Sequence, residues 1–141
     1  MLTITDKKFI FNDNVSVCQL KVVFTNNFKF LNGSLDWQTI RRVQERFYRK
    51  YHNYVDYSGT FSQFRIRGIA RCNESKDKFD EEVGAKIAMQ RALYVLNKME
   101  NDLIDMYYNE AARILSRFDE LKAKAELHLY QNEEYIKELI K

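Results

Sequence analysis

The stretch FRIRGIARCNESKDKFDEEVGAKIAMQRAL, Phe64 to Leu93, carries both periodicities from which a fold can be read. Its first part alternates. In a strand over residues 61–72, Phe64, Ile66, Gly68, Ala70 and Cys72 fall on one face, while Arg65, Arg67, Ile69 and Arg71 fall on the other, because successive side chains of an extended chain point to opposite sides. The small residues Gly68 and Ala70 let a helix lie close on the first face. The second face presents the three arginines together. A polar turn follows, and Asp80, Glu81, Glu82 and a lone glycine, Gly84, open a helix.

That helix has no obvious end. From Asp80 to Lys141 there is no proline, and Gly84 is the only glycine. Apolar residues continue through Ala92, Leu96, Met99, Leu103, Tyr107, Ala111, Ile114, Phe118, Leu121, Ala125 and Leu129 at a mean step of about 3.7, closer to a straight stripe than to a heptad repeat. Sixty residues of one helix would extend ~90 Å. The chain therefore either turns back as a hairpin, near Asn101-Asp102, Asn109 or Gln131-Asn132, or lays its stripe against another subunit. Tyr94, Tyr107, Tyr108, Phe118, Tyr130 and Tyr135 would give such an interface a large apolar area. A homo-oligomer formed through the C-terminal helix is the expectation.

Working toward the N-terminus, VSVCQLKVVF (Val15–Phe24) alternates so that Cys18, Leu20, Val22 and Phe24 face one way and Val17, Gln19, Lys21 and Val23 the other, the pattern of a half-buried strand. KFIF before it and FKFL near Phe28–Leu31 read as partner strands. Asn12-Asp13-Asn14 and Asn26-Asn27 read as turns, since Asn and Asp tolerate left-handed backbone. Asn32-Gly33-Ser34 breaks the sheet, and Ser34 or Asp36 can cap the helix that follows. In that helix Trp37, Ile40, Val43, Phe47 and Tyr51 recur at steps of three and four, one apolar face. Arg41, Arg42, Arg46, Arg49 and Lys50 oppose it, with Glu45 the only acid among them. Asp56-Tyr57-Ser58-Gly59 forms the turn into the Phe64 strand.

The fold class these elements define is α+β: a small antiparallel sheet packed with an amphipathic helix, followed by a long C-terminal helix or helical hairpin. Residues 1–79 form a basic β-α-β head and residues 80–141 a helical, oligomerising segment, in one compact domain overall. The charge divides at the same place. The head holds 14 Lys and Arg against 7 Asp and Glu, net +7, and the helical segment 9 against 13, net −4. A basic head suits an anionic partner.

Composition narrows the function. No window reaches the ~18 uninterrupted apolar residues of a membrane span, and the N-terminus lacks the apolar core of a signal peptide, so a cytoplasmic protein that avoids membranes is expected. Cys18 and Cys72 read as buried free thiols. His52 and His128 lie in no zinc or HExxH pattern, and the chain has no GxSxG, Walker or GxGxxG motif; no enzyme activity, metal or cofactor is expected. The site is instead an anion-binding face with Arg65, Arg67 and Arg71 at its centre and Arg42, Arg46 and Arg91 as secondary members, since guanidinium groups recognise phosphates bidentately.

Within this frame, GIARCNESKDKFDEEVGAKIAMQRAL resembles a pattern of small α/β proteins common in phages of low-GC Gram-positive bacteria, in which a GxAxC strand leads through an acidic loop into FDxxxGxxIAxxRAL. Gly68, Ala70, Cys72, Phe79, Asp80, Gly84, Ile87, Ala88, Arg91, Ala92 and Leu93 carry the resemblance, within 26 of the 141 residues. It implies a unit similar to the double-stranded-RNA-binding domain, in which small residues let helix and sheet approach. It also implies a non-catalytic anti-defence role in the host cytoplasm. A homo-oligomer would sequester a nucleotide-type signal, as anti-Thoeris proteins do, or the protein would inhibit a host nuclease, as anti-CRISPR proteins do. Direct nucleic-acid binding is the further alternative, although Asp80, Glu81 and Glu82 stand where a double-stranded-RNA-binding domain usually carries lysines.

Overall fold

The computed structural model describes residues 2–24, 36–54, 63–72 and 80–141. Three strands, β1 (Leu2–Asn12), β2 (Val15–Phe24) and β3 (Gln63–Arg71), form one antiparallel sheet in the order β1-β2-β3. Among the described residues two α-helices, α1 (Trp37–Lys50) and α2 (Glu81–Ile140), and a short 3-10 helix, His52–Tyr54, accompany it. The class is the α+β arrangement that the sequence implies. The expected strand at Phe28–Leu31, the turn at Asn26-Asn27, the break at Asn32-Gly33-Ser34 and the turn at Asp56–Gly59 lie outside the described residues.

The β1–β2 hairpin turns at Asp13, whose φ of 48° is left-handed, as its Asn-Asp-Asn setting suggests. β1 is longer than KFIF alone indicated: it spans 11 residues, and its register shifts between Ile4 and Asp6. That shift interrupts the period of two, which hides the strand's first half from pattern reading. On β2, Ser16, Cys18, Leu20 and Val22 are buried, and on β3 Phe64, Ile66, Gly68 and Ala70. These residues form a single covered face.

Both helices lie on that face. Asp36 caps α1 by accepting from the Thr39 amide at 2.6 Å, and this bond holds its carboxyl below the usual carboxylate range. Ile40, Val43, Phe47 and Tyr51 are buried, and the Phe47 ring meets Phe64 edge-on at 5.5 Å between centroids. Trp37, which the spacing assigned to the same stripe, is 67% exposed, because it stands at the first position of the helix, before the stripe reaches the sheet. α2 is capped by Asp80, whose side chain accepts from the Glu82 amide at 2.9 Å.

Residues 1–106 form one compact unit and residues 107–141 another. In the first, Ala88, Ala92, Leu96, Met99 and Leu103 of α2 are buried. At Gly68 the backbones of β3 and α2 come close together. A Cβ there would collide with the carbonyl oxygen of Ala88 and the amide nitrogen of Ala92, backbone atoms that cannot swing aside. α2 is also tied to its neighbours by polar contacts. The Glu100 carboxylate accepts from the Leu2 amide at 3.2 Å. Asp102 accepts from Lys50 Nζ at 2.8 Å and from the Tyr51 hydroxyl. The hydrogen bonds from Lys50 and Tyr51 hold the Asp102 carboxyl below its ordinary range. Burial, and then the Asp102 carboxylate, push the Tyr51 phenol up. The second unit is a single run of α-helix, so no hairpin forms at Gln131-Asn132, nor does the helix break at Asn101-Asp102 or Asn109.

Gly68→Ala is expected to destabilise the protein by roughly 1–3 kcal/mol or more, the range for overpacking, measured by urea denaturation. Asp102→Asn should cost roughly 1–3 kcal/mol at pH 7, as for hydrogen bonds to charged groups. A carboxyl with a lowered folded value stabilises fully above its unfolded value, so this deficit should shrink as the pH falls below about 4. A phenol with a raised folded value stabilises fully below its unfolded value. The Tyr51 contribution should therefore fade above about pH 10, and Tyr51→Phe should flatten the alkaline limb of the stability curve.

Candidate anion-binding face of the sheet

With both helices on one side, the opposite face of the sheet is left to solvent. Its composition follows from the strand register. Directly opposed residues share a face, so Asp6, Lys21 and Arg65 form one row across the sheet, and Lys8, Gln19 and Arg67 the next. Ile10, Val17 and Ile69 form a third row, and Asn12, Val15 and Arg71 a fourth. Rows on one face are about 7 Å apart, two residues of rise.

Five cations, Lys8, Lys21, Arg65, Arg67 and Arg71, thus share this face with one carboxylate, Asp6. Among the described residues, Lys8, Lys21, Arg67 and Arg71 make no ion pair within 4.0 Å. A depression of about 240 Å³ is lined by Asp6, Lys8, Gln19, Lys21 and Arg65. The adjoining row is apolar, and Ile10 and Ile69 remain open to solvent. Chemically the face offers several bidentate or point-charge phosphate contacts beside a flat apolar strip.

The sequence-derived candidates separate into three places. Arg65, Arg67 and Arg71 are together on the solvent face, at the end of the sheet. Arg42 and Arg46 are on α1, which packs against the covered face, so the core stands between them and the β3 arginines. Arg42 Nη2 donates to Thr39 Oγ1 at 3.2 Å. Arg91, on α2, reaches the margin of β3 and donates from Nη1 to the Ile69 carbonyl oxygen. Sequence reasoning did not bring in Lys8 and Lys21. The alternation of β2 had already placed Lys21 on the outer face. Lys8 becomes its neighbour only through the β1–β2 pairing, a contact between strands that the alternation within one strand does not carry.

Cys18 is buried, and burial pushes its thiol up. Cys72 is half-buried rather than fully buried. Among the described residues no three or more His, Cys, Asp and Glu side chains group as metal ligands. No described helix is long and apolar enough to cross a membrane. No protein-family model, curated protein or solved structure matches this chain.

Because the face makes no contribution to the core, replacing Arg65 and Arg67 together by Ala should change stability by no more than about 0.5 kcal/mol per site, the range for surface substitutions. Circular dichroism and thermal denaturation would check this. Unfolding of the double variant would overturn the assignment of the face.

Proposed function

We propose that the protein acts by stoichiometric binding, without catalysis, and that the basic face of its sheet captures an anionic ligand of the nucleotide type. The concentration of five cations and one carboxylate on a solvent-exposed sheet face carries this reading. Phosphate oxygens suit the Lys8, Lys21, Arg65 and Arg67 cluster. A base or other flat apolar group suits the Ile10–Val17–Ile69 row, about 7 Å further along the strands. On the resemblance of the Gly68–Leu93 run, the biological use of such capture is anti-defence: a phage protein in the host cytoplasm removes a nucleotide signal. A second reading, stoichiometric inhibition of a host nuclease, is supported by the openness of the face, which is shallow enough to meet a macromolecular surface.

The second unit supports an oligomer formed by copies of this chain. Phe118, Leu121, Leu129, Tyr135 and Ile136 are each more than half exposed, an apolar surface beyond what a lone helix carries in water. Residues 107–141 hold six Lys and Arg against seven Asp and Glu, net −1. The two signs are interspersed along the helix, so a second copy meets little repulsion.

Native mass spectrometry of the purified protein tests both parts. A discrete oligomer that gains a few hundred daltons per site when cyclic dinucleotides are offered is the expected result, with uptake lost on Arg65→Glu plus Arg67→Glu and weakened by salt. Phe118→Asp plus Leu121→Asp should yield monomers with the head still folded. An intact oligomer that takes up no nucleotide, yet retains a nuclease from host lysate in an Arg67-dependent manner, would replace the first reading with the second.

A further inference from the structure

Among the described residues β3 is the edge strand of the sheet, and its outer margin has the chemistry of an unfinished one. The Cys72 amide donates to the Asn14 carbonyl oxygen at 2.8 Å, toward β2. Backbone groups of an antiparallel strand alternate sides residue by residue, so those of Arg67, Ile69 and Arg71 point away from β2. The Ile69 carbonyl confirms this parity, since it accepts from Arg91 on α2. Among the described residues no strand pairs with this margin. Beside it, between β3 and α2, runs an open groove of about 670 Å³, within the size range of ligand clefts. Ile69, Ile87, Tyr94 and Val95 give it an apolar lining, Arg67, Lys86 and Arg91 are its cations, and no carboxylate lines it. Lys86 pairs only at 3.4 Å with Glu82, and both are well exposed.

We propose that the outer margin of β3 docks an extended, acidic segment of a partner protein as a fourth strand. Strand addition answers the outward N–H and C=O groups, and alternate pockets read the side chains. In this register the incoming residue opposite Gly68 points to the helix side, where its apolar side chain lies against Ile87 and Tyr94. Its neighbours point to the solvent face, where acidic side chains meet Arg67. Arg91 holds the Ile69 carbonyl until the incoming strand takes it, and its guanidinium is then free to pair with an acidic side chain. Charge argues against a second copy here: antiparallel β3–β3 pairing would put Arg65, Arg67 and Arg71 of both chains on one face, and like charges across strands destabilise. A nucleic-acid strand lacks the repeating donors that the outward carbonyls require.

The test is titration of the full chain, labelled with nitrogen-15, with a capped heptapeptide of alternating glutamate and valine. The expected result is saturable shifts confined to Arg67–Arg71 and Ile87–Val95, with slowed exchange of the Ile69 amide. Affinity should fall at least about tenfold for a lysine-valine peptide and for Ile87→Glu, an exposed position that leaves the core intact. Absence of saturation by millimolar peptide would overturn the proposal, as would equal binding of the lysine peptide or shifts restricted to the Lys21–Arg65 side of the face. The same shifts appearing with protein concentration alone would show that a second copy occupies the margin, and would overturn it too.

Discussion

The approach of α2 to Gly68 is the contact on which the rest depends. A helix backbone comes this close to a strand where the strand lacks a side chain, and Gly68 is such a gap, facing the backbone of α2 at the small residues Ala88 and Ala92. Close approach there sets the depth of the core, and the larger residues on either side fill what remains. Phe64 and Ile66 continue the covered face toward α1, where Phe47 and Tyr51 complete the packing. The polar ties at Glu100 and Asp102 then fix α2 along its axis against the start of β1 and the end of α1.

Commitment of both helices to one face decides the electrostatics. Burial of a charge without a partner is costly, so the cations of the head are displaced to the two surfaces that the core does not use. One set lies on the outer side of α1, the other on the bare side of the sheet. The low-dielectric core between them keeps the two sets from acting as one site. On the sheet, strand pairing gathers cations from three separate parts of the sequence, Lys8, Lys21 and the β3 arginines, within two adjacent rows and their neighbours.

β3 therefore serves three surfaces with nine residues. Its even-numbered side chains build the core, its odd-numbered side chains build the basic face, and its outward backbone groups border the groove beside α2. This economy is a property of an edge strand: a central strand would have no backbone left to offer. The apolar surface of residues 107–141 has a different origin. It belongs to a helix whose stripe continues well after the buried positions of the first unit end, and the proposed association of copies rests on it.

Some of this was legible in the sequence. The alternation of Val15–Val23 and of Phe64–Arg71 assigned inner and outer faces correctly, because a period of two is local and needs no knowledge of partners. The value of Gly68 as a gap, a cap at Ser34 or Asp36, the acidic opening of α2 at Asp80 and the α1 stripe from Ile40 to Tyr51 were legible for the same reason. Tertiary structure alone decided which charges stand together. Lys8 joins Lys21 and Arg65 through the cross-strand register that runs unbroken from the Asp13 turn to Asp6, and Arg42 and Arg46 part from Arg67 because their helix chose the opposite side of the sheet. Local periodicity determines which way a side chain points from its own element; only the packing of elements determines what it points toward.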